Sequence, residues 1–370
     1  MRIGVPKEIK THEYRVGLVP GSVKELSLAG HEIFVETGAG LGIGCDDAMY
    51  QAAGAKICPS AADVFAQTDM IVKVKEPQPQ ECAMLRENQV LFTYLHLAAD
   101  PEQAAGLLKS KAIAIAYETV TENRGGLPLL RPMSEVAGRM SIQVAARCLE
   151  KYSGGSGVLL GGVPSTERGH VVIVGGGVVG LSAARMAMGM EARVTIIDKS
   201  MARLENLDAM FGARINTVYA TTAAIERAII GADAVIGAVL VPGAAAPRLI
   251  TREMIQQMRP GSVLVDVAID QGGCAETSRP TTHADPTYVV DHVVHYCVTN
   301  MPGAVARTSA FALNNATLPF VLDLANKGYQ KALHEDVHLR NGLNVAKGAI
   351  THEAVARDLG ESYTPIQEVL

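Results

Sequence analysis

His170-Val171-Val172-Ile173-Val174-Gly175-Gly176-Gly177-Val178-Val179-Gly180 decides the fold. A short apolar run ends in a glycine turn, and the turn opens onto residues 181–190, which are helical in composition. The spacing is G-x-G-x-x-G. Each glycine has its own reason: Gly175 permits the tight turn, Gly177 lets the backbone approach a pyrophosphate, and Gly180 lets helix and strand pack closely. The unpaired N–H groups of the helix start then face the phosphates. Residues 192–197 form the next strand candidate, closed by Asp198. That carboxylate lies about 20 residues beyond Gly175, where an acid accepts hydrogen bonds from the adenosine ribose and repels a 2′-phosphate. The motif points to NAD rather than NADP.

Working outward, further strand candidates are 213–219, 234–240, 262–269 and 293–299, with helix-like stretches at 222–230 and 251–258. The first 130 residues alternate in the same way. Strand candidates there are 2–5, 32–35, 70–74, 90–95 and 112–117, separated by helix-like 22–29, 61–66 and 101–109. Alternating strands and helices of this kind predict parallel sheets covered on both faces. The expected fold is α/β, with two Rossmann-like, doubly wound parallel-sheet domains linked by long helices. One linking helix is expected over 133–151, with Ser134 as its N-cap and an apolar stripe at Val136, Met140, Val144 and Cys148. The glycine-rich 153–157 that follows suits a hinge. A second long helix is expected over about 304–326. The dinucleotide domain is placed at 131–304. The other domain is discontinuous, 1–130 plus 305–370, because chain termini tend to lie close together. Gly38-Ala39-Gly40-Leu41-Gly42-Ile43-Gly44 is glycine-rich too, but its spacing is wrong and no helix follows, so it reads as a surface loop.

Composition narrows the function classes. The chain has 370 residues, 48% hydrophobic and 19% charged, with a net charge of -5. A basic face for nucleic acid or anionic lipid is not expected. Aromatic residues make up 4% and Trp is absent, which disfavours base-stacking platforms. The cysteines at 45, 58, 82, 148, 274 and 297 form no C-x-x-C pair, so neither a metal site nor a redox dithiol is expected. Scattered thiols fit a reducing cytoplasm. The start of the chain has no signal-peptide apolar stretch, and the greasiest run, near 234–247, is too short and too rich in Gly and Pro to span a membrane.

Ligands of doubly wound sheets bind outside the carboxyl ends of the strands. Those ends carry Asp198, Val239, Leu240, Asp270 and Asn300 in the later domain, and Lys75 and His96 in the earlier one. A nicotinamide cofactor moves hydride but no protons, so the protein must supply acid–base groups. His96 is a natural candidate, because the imidazole is the side chain suited to proton transfer near neutral pH. Asp270 lies just past its strand, whereas Asp266 lies within it. Arg15 and Lys75 are cations able to clamp a small carboxylate. Position alone leaves alternatives open: His96 as a structural histidine, Lys75 and Arg15 as solvated charges, and Asp270 as a turn former before Gly272-Gly273.

Longer motifs sharpen these choices. Met1-Arg2-Ile3-Gly4-Val5-Pro6-Lys7-Glu8-Ile9-Lys10 with Glu13 and Arg15-Val16 resembles the start of the NAD-dependent alanine dehydrogenases and of the related transhydrogenase nucleotide-binding subunits. Val72-Lys73-Val74-Lys75-Glu76-Pro77, Tyr94-Leu95-His96, Met133-Ser134-Glu135-Val136-Ala137-Gly138 and 171–180 are similar to the same family. So are 236–243, Asp266-Val267-Ala268-Ile269-Asp270-Gln271-Gly272-Gly273, 279–283 and Asn300-Met301-Pro302-Gly303-Ala304-Val305. The likeness runs through nearly the whole chain, in order.

The resemblance implies reversible oxidative deamination of L-alanine to pyruvate and ammonium with NAD+. It implies that Arg15 and Lys75 hold the substrate, that His96 is the acid–base group at the keto oxygen, and that Asp270 serves the ammonia and water steps. His96 and Asp270, one from each domain, would flank the planar carbon. It implies that NAD is lined by Ser134, Gly175, Gly177, Val178, Val179, Gly180, Asp198, Arg203, Val239, Leu240, Val267, Ala268, Ile269, Asp270, Arg279, Val298, Asn300 and Met301. It implies no metal, and a homohexamer. Two positions depart from the family: Ala220 stands where Ser is frequent, and Arg203 where Lys is common. Both concern the adenosine end of the cofactor. A rival within the family is a transhydrogenase nucleotide-binding subunit, which passes hydride to a partner's NADP and has no amino-acid substrate. A rival outside it is a non-catalytic NAD-binding protein.

Overall fold

The structure, a computed structural model, describes residues 1–370 except 124 and 240–245. The chain divides into two compact units, Met1–Met133 with Gly303–Leu370, and Ser134–Pro302. The strands in chain order begin with β1 (Arg2–Val5), β2 (Glu32–Glu36), β3 (Lys56–Cys58), β4 (Met70–Val72), β5 (Val90–Thr93) and β6 (Ile113–Ala116). The second unit holds β7 (His170–Val174), β8 (Arg193–Asp198), β9 (Asn216–Tyr219), β10 (Ala234–Gly237), β11 (Val263–Asp266), β12 (Thr287–Val290) and β13 (Val293–Tyr296). The chain then returns to the first unit as β14 (Leu343–Ala346) and β15 (Ala349–Ile350).

Two sheets form, ordered β15-β14-β6-β5-β4-β1-β2-β3 and β12-β13-β11-β10-β7-β8-β9. Each contains the same doubly wound kernel. From β3 through β2, β1, β4 and β5 to β6 the strands are parallel, and so are those from β9 through β8, β7, β10 and β11 to β13. In both kernels the winding direction reverses beside the first strand, at β1/β4 and at β7/β10. Such a reversal opens a crevice at the carboxyl ends. The expected α/β fold is present, with antiparallel edges added. β12 pairs antiparallel with β13, β14 with β6, and β15 with β14. The sequence pattern does not predict β3, β12, β14 or β15: β3, β12 and β15 are short edge strands with little apolar pattern, and β14, between β15 and β6, is four residues long with Asn344 inside it.

The central strands are buried on both faces: β5, β6, β10, β11 and β13 have no exposed position. This explains their unbroken Val/Ile/Leu runs, since helices cover both sides of a parallel sheet. In the second unit, Val171, Ile173, Ala183, Ala187, Ile196 and Val265 belong to one core cluster, and Val172, Ile197, Val235 and Leu264 to the cluster on the opposite face. Each such side chain taken from water contributes roughly 1.5–3 kcal/mol.

Three local expectations are corrected. The first long helix spans Arg131–Cys148, so Ser134 lies inside its first turns rather than at its N-cap. Pro132 is the reason: proline needs no N–H partner at a helix start and presets φ there. The second long helix is Ala306–Lys327. The 153–157 link is not a slack hinge. The N–H groups of Ser153, Gly154, Gly155, Ser156 and Gly157 all donate to backbone carbonyls. A Cβ on Gly155 would collide with the Cys148 and Leu149 backbone, so that glycine serves close packing. The 38–44 segment is likewise packed, with Ala39, Gly40 and Ile43 buried and a Cβ on Gly40 meeting the Tyr50 ring at 2.5 Å.

Candidate functional site

In the second unit the glycine turn sits at the β7/β10 reversal. Gly175 has φ 104, and a Cβ there would lie 2.6 Å from the Ala238 carbonyl oxygen. The turn thus presses against the chain leaving β10, beside Val239. A Cβ on Gly180 would enter the Gly175 carbonyl oxygen, so this glycine lets the Val178–Gly189 helix lie on β7. Gly177 differs. Its φ is -65, and a Cβ there would meet no atom of the described residues within 4 Å. Among the described residues, packing does not require glycine at 177. The requirement is open space in front of a helix start, which is what a bound pyrophosphate needs. By this test the residues fit a dinucleotide.

Asp198 and Arg203 brace the turn. Asp198 Oδ2 accepts the Gly176 N–H at 2.7 Å, and Oδ1 accepts the Ser200 N–H at 2.8 Å. Arg203 Nε donates to the Gly176 carbonyl, and Nη2 to the Gly177 carbonyl at 3.4 Å. Arg203 therefore brings a guanidinium to the glycine turn. Ser134 lies one helical turn before Gly138, where a Cβ would strike the Val179 carbonyl and sit 2.8 Å from Ser182 Cβ. That close approach places Ser134 on the helix face turned toward the glycine-turn helix.

The remaining second-unit candidates follow the carboxyl ends of β11 and β13. Val267, Ala268, Ile269 and Asp270 form a single 3-10 turn directly after β11. Asp266 anchors it. This fully buried carboxylate accepts the N–H groups of Ala268 at 3.1 Å and Cys274 at 2.8 Å and the Ser278 hydroxyl at 2.6 Å. Asp266 is thus committed to the protein, and the exposed Asp270 stands on the turn it holds. After β13, Val298 and Met301 are buried, and the Asn300 carbonyl accepts a 2.7 Å hydrogen bond from His283. Arg279 stacks over Tyr288 at 4.0 Å, and its N–H donates to the Tyr288 hydroxyl. Leu240 lies outside the described residues.

In the first unit, β1, β4 and β5 are neighbours, and Arg15, Lys75 and His96 come from the chain beyond their carboxyl ends. Tyr94 links two of them: it lies within the electrostatic reach of Arg15, and His96 stacks on its ring. Arg15 is 3% exposed and grips Glu13 through Nε at 2.6 Å and Nη2 at 2.5 Å, with Met133 Sδ 3.1 Å from Nη1. Burial disfavours its charge, but the bonds and charge of Glu13 outweigh that and raise its pKa. Lys75 is half-buried beside Glu76, at 3.9 Å. The Lys75 carbonyl accepts the Thr93 hydroxyl at 2.9 Å, which ties its loop to β5. His96 is exposed and its ring lies parallel to Tyr94, 5.8 Å between centroids and 9° between planes. The buried Tyr94 hydroxyl donates to the Leu129 carbonyl at 2.5 Å, and burial raises its pKa, against the opposing effect of nearby Arg15.

Beneath this edge lies a buried triad. Lys73 Nζ sits 3.1 Å from Glu8 and 2.7 Å from Glu81, all three side chains at most 2% exposed. Burial alone would discharge Lys73, and the two carboxylates reverse that and raise its pKa. Glu8 also accepts the N–H groups of Val74 at 2.7 Å and Lys75 at 3.4 Å, so the triad fixes the backbone of Lys75. The sequence reading did not assign the supporting acids Glu8, Glu13 and Glu118. Glu13 sits two residues from Arg15, a detectable signal. Glu8 and Glu118 carried none, because their partners are distant in sequence.

Among the described residues no group of His, Cys, Asp or Glu has the geometry of a metal site, and no helix is long and apolar enough to cross a membrane. All six cysteines are free and buried.

Comparison with known proteins adds a family and relatives. The model described as alanine dehydrogenase/PNT, N-terminal domain, matches residues 4–137, and the C-terminal domain model matches 141–353. An alanine dehydrogenase of Halomonas elongata is 59% identical over 363 residues, 98% of this chain and 98% of that one. An alanine dehydrogenase of Bacillus subtilis is 56% identical over 371 residues, 100% of this chain and 98% of that one. A solved L-alanine dehydrogenase superimposes with a TM-score of 0.95 at 54% identity, covering 97% of this chain and 99% of its own. A solved transhydrogenase from Sinorhizobium meliloti gives 0.81 at 26% identity, covering 96% and 100%.

Proposed function

This chain belongs to the alanine dehydrogenase/PNT family, and from that premise we propose that it is an L-alanine dehydrogenase that uses NAD. The reaction is L-alanine, NAD+ and water giving pyruvate, ammonium, NADH and a proton. The observation that carries this reading is the set Arg15, Lys75 and His96 at one sheet edge, beyond three adjacent strands. A transhydrogenase subunit has no amino-acid substrate and no use for a carboxylate clamp beside an acid–base group.

Bound NAD+ accepts the hydride that leaves the substrate α-carbon. Gly175, Gly177 and Gly180 would hold the pyrophosphate, Asp198 the ribose, and Val239, the 267–270 turn, Asn300 and Met301 the nicotinamide half. Arg15, oriented by Glu13, pairs with the substrate carboxylate. Lys75 polarises the oxygen on the reacting carbon. His96 takes a proton from the carbinolamine hydroxyl as the carbonyl forms, and returns it to the keto oxygen in the reverse direction. Asp270 handles the protons of the attacking water and departing ammonia. We place the enzyme in the cytoplasm, supported by its six unpaired thiols, and assign it a homohexameric state by family likeness.

The test is NADH formation from NAD+ and L-alanine at alkaline pH, followed by ultraviolet absorbance. Steady formation supports the reading. No formation from L-alanine, with NADH still bound, would point to the transhydrogenase-type alternative. His96→Ala should abolish turnover and leave NADH affinity nearly unchanged; substantial remaining activity would remove His96 from the acid–base role.

A further inference from the structure

His96 is held in an unfavourable backbone conformation, φ 48 and ψ 38. Side chains with a Cβ avoid this left-handed region, and a residue stays there only when its surroundings over-determine it. Packing of the imidazole does not do so, because the side chain is exposed. The neighbouring strand does. Just past β6, the turn Tyr117–Thr119 carries Glu118, whose carboxylate reaches across to the end of β5. Its Oε1 accepts the His96 N–H at 2.5 Å, and both oxygens lie 3.2 Å from the Leu95 nitrogen. One carboxylate thus binds two consecutive backbone N–H groups at the point where the chain turns left-handed.

The surroundings fix this carboxylate in turn. Tyr117, the residue before it, is fully buried and packs edge-on to Tyr94, ring centroids 5.0 Å apart. Tyr94 is the ring on which His96 stacks. On the other flank, the turn after His96 packs against the Glu353–Leu359 helix, and His352 at its start lies within the electrostatic reach of Glu118. Tyr117-Glu118 therefore supports both the ring that His96 lies on and the backbone that aims it.

We propose that Glu118 is a positioning residue for His96, acting through the Leu95 and His96 amides to set the direction of the imidazole. The inference rests on the acid–base role of His96 given above. The paired variants are Glu118→Ala, which removes both acceptors, and Glu118→Gln, whose carbonyl oxygen still accepts the same N–H groups. Glu118→Ala should lower kcat by roughly 100-fold, the cost of misplacing a reacting group by about 1 Å. NADH affinity and the KM for NAD+ should stay at their wild-type values. Glu118→Gln should recover to within about fivefold of wild type, the difference between a charge-assisted and a neutral hydrogen bond. Amide hydrogen exchange across 94–99 should quicken in Glu118→Ala and stay slow in Glu118→Gln, whatever the substrate.

Wild-type kcat in Glu118→Ala, or unchanged exchange at 94–99, would each overturn the proposal while leaving the dehydrogenase reading in place. A wild-type enzyme inactive on L-alanine would overturn that reading instead, and the exchange measurement would still decide whether Glu118 holds the turn. Should Glu118→Ala fail to fold, Glu118→Gln with the exchange readout carries the test.

Discussion

Gly177→Ala separates a glycine kept for the fold from one kept for a ligand. In the protein alone the substitution is close to neutral. The φ of -65 suits alanine, and the new methyl meets no atom of the described residues within 4 Å. Two small effects oppose each other: alanine reduces the entropy of the unfolded chain by about 0.4–1 kcal/mol, and it is a poorer N-cap than glycine by a similar amount. The net lies within about 1 kcal/mol of zero, so the melting temperature should move by no more than about 4 °C. Cofactor binding should suffer. The methyl occupies the space in front of the helix start, and overfilling a close contact costs roughly 1–3 kcal/mol. That converts to an increase in the NADH Kd of about 5- to 150-fold. Thermal unfolding without cofactor, paired with fluorescence titration of NADH, measures both. Gly180→Ala is the control, since its methyl would enter the Gly175 carbonyl and should prevent folding of the unit. Wild-type NADH affinity in Gly177→Ala would refute the placement of pyrophosphate at this turn. A collapse in melting temperature would refute the claim that the space is unused by the protein.

Glu13→Ala leaves the Arg15 guanidinium buried without its bidentate partner and should destabilise the protein by about 3–5 kcal/mol, read by chemical denaturation, with a raised KM for the amino acid where the variant folds. Asp198→Ala removes the acceptor for the Gly176 and Ser200 N–H groups; NADH binding should weaken and discrimination against NADPH should relax, and an unchanged preference would argue against the ribose role. Acidification should lower the melting temperature. Burial holds the pKa of His170, His295 and His352 below the ordinary 6.5, so the unfolded chain binds protons there that the native protein does not. The stability these rings contribute is complete above about pH 6.5 and declines as pH falls through that value toward their folded pKa. His295 shows the cause: its ring is buried, and although Nδ1 donates to the Val293 carbonyl, which favours the charged form, burial outweighs that bond. His295→Gln should flatten the decline; an unaltered pH dependence would assign it to other groups.

The kernel of each sheet was readable in the chain because buried parallel strands must be apolar on both faces, and β7, β10 and β11 show that pattern over most of their length. The edges were not. Leu343–Ala346 joins the first sheet by antiparallel pairing with β6, a partner more than two hundred residues away, and Ala349–Ile350 pairs in turn with Leu343–Ala346. Glycine was legible as a residue type but ambiguous in purpose. Gly155 packs against a helix end, Gly40 against a tyrosine ring, and Gly177 against nothing. Only coordinates separate these cases, because each depends on what approaches from elsewhere in the chain.

The sequence by itself determined the glycine turn at 175–180 between a strand and a helix and the acid at 198, and it offered Arg15, Lys75, His96 and Asp270 as residue types with suitable chemistry, which family likeness rather than position singled out. These are local: a strand, a turn, a helix start and residue types at strand ends follow from neighbours along the chain. The tertiary structure alone decided what holds them. Glu13 grips Arg15, the Glu8–Lys73–Glu81 triad fixes the Lys75 backbone, Asp266 carries the turn bearing Asp270, and Glu118 accepts the Leu95 and His96 amides. Buried charges need partners wherever the fold supplies them, and most of those partners are set by which strands lie side by side, not by distance along the chain.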